Sequence, residues 1–235
     1  MSYTALAKVY DGFFEKEYIE KLTNRYRRVL LGCGVLRGRI LDLGCGTGRL
    51  SISLAKSGAS VWGVDPDGAM IEQAICNANG LDTVFWQGYL PRFQGESEFD
   101  AVTASLDVVN HITDEEVLLD TFCAVKRLLK KGGVFVFDVN TEKKFREVYG
   151  QNAYVFRSEQ AFAAWENDYD ESCGICRFTV DVFTKQGDNY QRQTDIIEER
   201  CYRHEALSTL LRKAGFRIIS YQGMDNGTRH LYIVK

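Results

Sequence analysis

The sequence predicts a doubly wound α/β fold, a mostly parallel sheet with helices on both faces and a small antiparallel sheet inserted into it. Three observations predict it. Short apolar strands alternate with helical stretches from Arg39 to Asp138, the order that builds a parallel sheet. A glycine-rich turn, ILDLGCGTG (Ile40–Gly48), follows the first of those strands. From Tyr154 the apolar period changes to two, the mark of antiparallel pairing.

Each element has its own signal. Glu15 to Leu31 reads as a helix with charges on its outer face. Arg39–Leu43 is a short apolar strand, Gly48–Ser57 a helix and Ser60–Asp65 a second strand. Asp67–Asn79 is a helix with Asp67 as N-cap. Thr83–Gln87 and Phe99–Ala104 are further strands. Asp114–Leu129 is a helix opened by Thr113 or Asp114 and closed by Lys130, Lys131 and Gly132. GVFVFD (Gly133–Asp138) is apolar enough to lie inside a sheet. FTVDVF (Phe178–Phe183) and NYQRQTDII (Asn189–Ile197) alternate around the turn Lys185–Asp188, so residues 154–199 read as the inserted antiparallel lobe. His204–Ala214 is a last helix, ended by Gly215. Phe216–Tyr221 and His230–Val234 are two last strands, joined by the hairpin signal Asp225-Asn226-Gly227.

Composition narrows the function. A chain of 235 residues fits one domain, residues 1–235, with the lobe set into it. A net charge of −3 argues against a nucleic-acid binder. No apolar run approaches a membrane span, and the first residues lack the charged and apolar regions of a signal peptide. The cysteines number 7, an odd count scattered through apolar stretches, which points to a reducing, cytoplasmic setting. Monomer and homodimer both remain open.

In open parallel sheets, ligands bind outside the carboxyl ends of the strands, where the glycine turn falls. A phosphate-binding loop needs a Lys after its last Gly, whereas Arg49 follows Gly48. The dinucleotide fingerprint G-x-G-x-x-G puts a third Gly where this chain has Arg49, since Gly44, Gly46 and Gly48 are spaced by two. Asp65 ends the second strand 23 positions after Asp42, the place of an acid that accepts hydrogen bonds from an adenosine ribose.

ILDLGCGTG, followed by VWGVDPDGAM and later by LLKKGGVFVFD, resembles the class I S-adenosylmethionine-dependent methyltransferases, of the small-molecule type. The resemblance runs from Tyr3 to Asp138. It implies a seven-stranded, Rossmann-like sheet whose last strand is reversed, and S-adenosyl-L-methionine as cofactor. It also implies residue roles. Gly44, Cys45 and Gly46 would admit the methionine and ribose portion, and Asp42 would hold the ammonium group, directly or through water. Asp65 and Pro66 would meet the ribose side, and Met70 would pack on adenine. Related enzymes carry an acid near Tyr89; this chain has QGYLPRF (Gln87–Phe93), so Tyr89 or a backbone carbonyl must serve. Leu106 and Asp107 would edge the cofactor, and Asn110 and His111 would face the substrate. YTALAKVYD, with Tyr3, Tyr10 and Asp11, would fold over the cofactor, making residues 1–31 a helical lid region.

Methyl transfer from a sulfonium is an in-line displacement that rests on alignment, so the lack of a catalytic triad does not count against an enzyme. The chain lacks [N/D]-P-P-[Y/F] and a Pro-Cys nucleophile, which points away from nucleic acid bases, although an RNA acceptor is not excluded. A small-molecule acceptor under the lobe is the expectation, with Arg157, Trp165, Tyr169, Arg177 and Arg192 in reach of it. An NAD(P)-dependent oxidoreductase and a non-catalytic cofactor-binding subunit are the rival readings. Cys173-Gly174-Ile175-Cys176 has no second pair to complete a zinc site, and His204 and His230 have no ligand spacing, so no metal is expected.

Overall fold

The computed structural model describes residues 7, 10–13, 16–90, 99–158 and 161–235. Tyr3 and residues 91–93 of the QGYLPRF stretch lie outside them. The elements run α1 (Tyr10–Phe13), α2 (Lys16–Gly32), β1 (Arg39–Leu43), α3 (Arg49–Ala55), β2 (Ser60–Asp65), α4 (Gly68–Ala78), β3 (Thr83–Gln87) and β4 (Phe99–Ala104). They continue as α5 (Glu115–Leu128), β5 (Leu129–Asn140), β6 (Ala153–Arg157), β7 (Ala161–Asp170), β8 (Ile175–Gln186), β9 (Asn189–Arg200), α6 (His204–Lys213), β10 (Ile218–Met224) and β11 (Arg229–Val234).

Seven strands form one sheet in the order β10-β11-β5-β4-β1-β2-β3. Neighbours from β3 to β5 are parallel, and β11 is antiparallel to both β5 and β10, so the last strand is reversed as expected. Alternation along β5 sends Phe135 and Phe137 to one face and Val134 and Val136 to the other. The first face packs on α5 and α6 through Phe122, Val125, Leu207 and Leu211. The second packs on α2 and α3 through Tyr26, Leu30, Leu50 and Leu54. Each such buried side chain contributes about 1.5–3 kcal/mol.

Asp67 and Asp114 are the N-caps the sequence announces; each carboxylate accepts from the two amides two and three residues on. One boundary differs. β5 starts at Leu129, not Gly133, because Leu129 pairs with Phe99, and the Lys130–Gly133 stretch is carried as an irregularity in that pairing.

The remaining strands form a four-stranded antiparallel sheet, β6-β7-β8-β9, spanning Ala153–Arg200. Its inner face (Ala163, Phe178, Val180, Val182, Ile197) packs on Phe145 and Tyr149 and reaches Tyr10. Phe145 and Tyr149 ride a wide π-helical turn, Lys144–Tyr149, which sequence periodicity misses because six residues are too few to show a period.

Candidate active site

A cavity of about 340 Å³ opens at the carboxyl ends of β1, β2, β3 and β4. Its walls are the glycine turn after β1, Asp65–Asp67 after β2, Gly88–Leu90 after β3 and the Ser105–Asp114 stretch after β4. Strand order reverses between β1 and β4, so this is the switch point where such sheets bind ligands.

The turn has a backbone reason for its glycines. Gly44 has φ +64°, and a Cβ there would lie 2.4 Å from Val108. Gly46 has φ +53° with open space where a Cβ would point, so its backbone borders the cavity directly. Asp65 ties the two loops together: Oδ2 accepts from Gly46 N–H at 2.9 Å and Oδ1 from Asp67 N–H at 2.9 Å. Burial raises its pKa, and these two amides partly oppose that.

The structure brings ten of the thirteen sequence-predicted site residues to the cavity. Tyr10, Gly44, Cys45, Gly46, Asp65, Pro66, Met70, Tyr89, Leu106 and His111 line it. Tyr10 is held there by its neighbour. Asp11 accepts from the Thr47 hydroxyl at 2.8 Å and from Arg49 Nε at 2.6 Å, and the Arg49 guanidinium stands 5.6 Å from the Tyr10 ring. Burial, reinforced by the charge of Asp107, pushes the Tyr10 hydroxyl pKa up.

Asp42, Asp107 and Asn110 do not line the cavity. Asp42 is wholly buried under the turn, where Ser51 and Thr103 donate to it at 2.6 and 2.8 Å. Those hydroxyls hold its carboxylate beneath the turn. Asn110 is wholly buried too. Its Nδ2 donates to the Arg200 carbonyl at 2.8 Å, its Oδ1 accepts from Asn140 N–H at 2.8 Å, and its own carbonyl accepts from Arg200 N–H at 2.7 Å. A side chain used in this way clamps β9 to β5.

Asp107 turns into a buried polar network behind the cavity wall. Leu106 and Asp107 both stand in the left-handed region, at φ +60° and +62°, a conformation costing about 1–3 kcal/mol per non-glycine residue. Asp138, at the buried end of β5, holds that turn: it accepts from Leu106 N–H at 3.0 Å and Asp107 N–H at 3.4 Å. The Tyr26 hydroxyl donates to the same Oδ1 as Leu106, at 2.5 Å, and the buried Arg229 guanidinium pairs with Oδ2. Arg229 also reaches Asp107 Oδ2 at 3.2 Å, and that charge outweighs burial and draws the Asp107 pKa down. Asn140 Nδ2 donates to Asp107 Oδ2 at 2.9 Å and to Glu199 Oε2, on β9, at 2.8 Å. His111 completes the group, with Nε2 3.7 Å from Asp107 Oδ1 and 4.0 Å from Glu199 Oε1. Burial opposes a charge on its ring, but these two carboxylates prevail and push its pKa up to about 9.

Asp138, Asn140, Glu199 and Arg229 went unmarked in the sequence. Asp138 had one legible signal, an acid closing the apolar run GVFVFD. Arg229 and Glu199 had none, because the partners that hold them lie on other strands and loops far away in sequence.

Asp42 gives a pH test. Burial raises its pKa from 3.8 to about 6, outweighing its hydroxyl donors. A carboxyl whose folded pKa is raised favours the folded state below the unfolded pKa, and loses that contribution as pH rises through the folded one. Between pH 4 and pH 7 the chain is therefore expected to lose about 3 kcal/mol relative to Asp42→Asn. Denaturant midpoints of both proteins across that range check it; a constant difference would refute it.

With this geometry in place, the comparisons with known proteins become specific. A family model described as a methyltransferase domain matches residues 40–133, which cover β1 to the start of β5. A Bacillus subtilis (strain 168) protein provisionally named methyltransferase YqeM is 29% identical over 222 residues, 93% of this chain and 87% of that one. The crystal structure of an S-adenosylmethionine-dependent methyltransferase from Clostridium acetobutylicum superposes with a TM-score of 0.85 at 27% identity, covering 99% of this chain and 98% of that one. CalS10 from Micromonospora echinaspora, an amino pentose methyltransferase solved with its S-adenosylmethionine bound, shares the fold at TM-score 0.78 and 19% identity over 97% and 94% of the chains. A methyltransferase model lying on the strands that build the cavity, and a structural match that covers 99% of this chain, support a class I S-adenosylmethionine-dependent methyltransferase.

Proposed function

We propose that this enzyme methylates a small molecule, bound between the end of β4 and the β6–β9 sheet. One observation carries the reading. His111 is on the cavity wall and its Nδ1 lies 3.4 Å from the Glu198 carbonyl of β9, a contact that would set the four-stranded sheet over the acceptor side of that wall. A pocket covered in that way would admit a compact acceptor more readily than a folded RNA, and the net charge of −3 points the same way. CalS10, whose name gives an amino sugar as its acceptor, has the same fold, which supports a small polar acceptor here.

The cavity suits the cofactor. Gly44 to Gly46 would pass close to the methionine portion, Asp65 would accept from the ribose hydroxyls, and Met70, Pro66 and Tyr89 would flank the adenine. S-adenosylmethionine, when bound, supplies a methyl group on a sulfonium, already activated for displacement. The chain's part is alignment, which is worth roughly 7–11 kcal/mol. Leu106 would stand beside the sulfonium, Tyr10 would cover it and His111 would face the acceptor, while Asp42, Asp107 and Asn110 would position the walls. Residues 1–235 would act as one domain, and the free cysteines suit a cytoplasmic setting. Among the described residues, no helix is long and apolar enough to cross a membrane.

The test is transfer of a radiolabelled methyl group from S-adenosylmethionine into a fractionated cell extract. Label is expected in the dialysable fraction; label confined to RNA or protein would overturn the small-molecule reading. Calorimetric titration tests the cofactor contacts. Asp65→Ala is expected to weaken S-adenosylmethionine by roughly ten- to hundredfold, the loss of about 1.5–3 kcal/mol for bonds to a charged acceptor. Unchanged affinity would remove Asp65 from that role.

A further inference from the structure

We propose that the free edge of β9 docks a second copy of this chain, the two β9 strands pairing antiparallel about a two-fold axis at Gln193. β9 ends the lobe sheet and pairs with β8 alone, in unbroken register from Ile175↔Arg200 to Gln186↔Asn189. Backbone groups alternate in direction along a strand, so half of those in β9 face away from β8. The even-numbered residues are that half. Arg200 N–H donates to the Asn110 carbonyl, the Arg200 carbonyl accepts from Asn110 Nδ2, and the Glu198 carbonyl faces His111 Nδ1.

The loop after β4 therefore covers the edge at Glu198 and Arg200, and from Tyr190 to Ile196 the edge is open. Among the described residues, no hydrogen bond meets the outward N–H or C=O of Tyr190, Arg192, Thr194 or Ile196. All four residues are exposed. β9 carries no Pro, Lys or bulge of the kind that blunts such an edge.

The open stretch is symmetrical about Gln193, which selects a second copy as the occupant and sets the register. Tyr190 lies opposite the partner's Ile196, and Arg192 opposite the partner's Thr194; the two-fold repeats each pair. Every member has its backbone groups on the open edge, so each pair exchanges two N–H···O=C bonds. Tyr190 and Ile196 are 56% and 58% exposed and stand on one face, where the dimer covers each with the other. On the same face Phe162 and Phe183 stack at 4.4 Å, and the Tyr190 ring meets Phe162 edge-on at 6.0 Å. The apolar contact thus continues into each sheet. Arg192, held by Asp181 at 2.8 Å, faces a neutral side chain.

Neighbouring registers fail for separate reasons. A shift of one residue sets outward backbone groups against groups spent on β8. A shift of two in one direction opposes Arg192 to the partner's Arg192, two like charges. A shift of two in the other opposes Tyr190 to the partner's Glu198, whose carbonyl His111 already meets. β9 begins at Asn189, so in the central register each strand stops where the partner's loop takes over the edge. None of this depends on which acceptor the enzyme uses.

Sedimentation velocity of the full-length protein is expected to show a dimer. Thr194→Pro removes one outward N–H and leaves the ladder to β8 whole, because Pro is tolerated on a free edge. It is expected to weaken the dimer about tenfold or more, with circular dichroism unchanged. Should it not fold, Ile196→Lys takes its place. Cross-linking under diamide reads the register. In a non-hydrogen-bonded antiparallel pair the Cα atoms stand about 4.5 Å apart, within the range of a disulfide. Gln193→Cys is therefore expected to give a covalent dimer. Gln191→Cys, set opposite the partner's Asp195, should give no more than the wild type with its own exposed cysteines. A wild type that stays monomeric would overturn the proposal. So would a dimer that a folded edge variant leaves unchanged, or that Gln193→Cys does not cross-link.

Discussion

Asp138→Ala is expected to destabilise the protein by about 3–5 kcal/mol, the loss seen when one partner of a buried ion pair is removed. Asp138 is wholly buried, and the Arg229 opposite it is 2% exposed, so the guanidinium would be left in the interior with Asp107 as its main remaining partner. The same substitution removes the acceptor that holds Leu106 and Asp107 in their left-handed conformation, and leaves the Tyr26 hydroxyl without its carboxylate. Urea denaturation measures the loss. The double variant Asp138→Leu/Arg229→Met should recover part of it, since an apolar pair in a buried ion pair's place is often neutral. A single-variant loss below about 1 kcal/mol would mean that solvent reaches this network.

The second large effect falls on the cofactor. Gly44→Ala places a methyl group 2.4 Å from Val108 Cγ2 and 2.8 Å from Cγ1, and does so at φ +64°. The clash is with the side chain's own branch point region, so rotation of Val108 alone does not relieve it. The turn must shift, and it carries Gly46, whose amide is bonded to Asp65. Affinity for S-adenosylmethionine is expected to fall by about a hundredfold, and stability by roughly 1–3 kcal/mol from overpacking. Trimming the neighbour, in Gly44→Ala/Val108→Ala, should return part of the stability and less of the affinity, because the backbone strain stays. Full recovery of both in the double variant would show that the clash acts alone.

The sheet was legible because its signals are local. Val134 to Asp138 is apolar on both faces, Asp67 and Asp114 precede periodic runs, and Asp225-Asn226-Gly227 separates two strands by its own turn chemistry. The glycine turn was legible because positive φ at Gly44 and Gly46 demands that residue type. The network behind the cavity was not, because its members come from distant strands: Asp107 and Arg229 are 122 positions apart, and Asn140 and Glu199 are 59. Position near the cavity did not decide which polar residues border it. Asp42, Asp107 and Asn110 lie within the right loops or beside them, yet their side chains are taken up by Ser51, Thr103, Arg229, Arg200 and the backbone of Asn140. Only pairing partners separate a wall residue from one that supports the wall.

Asn110 has a consequence for how the molecule opens. Its main-chain carbonyl receives the amide of Arg200, and its side-chain oxygen receives the amide of Asn140, so one residue closes the ends of β9 and β5 together. Exchange of either amide requires breaking its bond to Asn110. In hydrogen-exchange terms, Arg200 and Asn140 belong to one cooperative opening unit, although they sit in different sheets. The β6–β9 sheet is thereby coupled to the loop that borders the cavity, and a ligand that orders this loop should slow exchange at the base of β9.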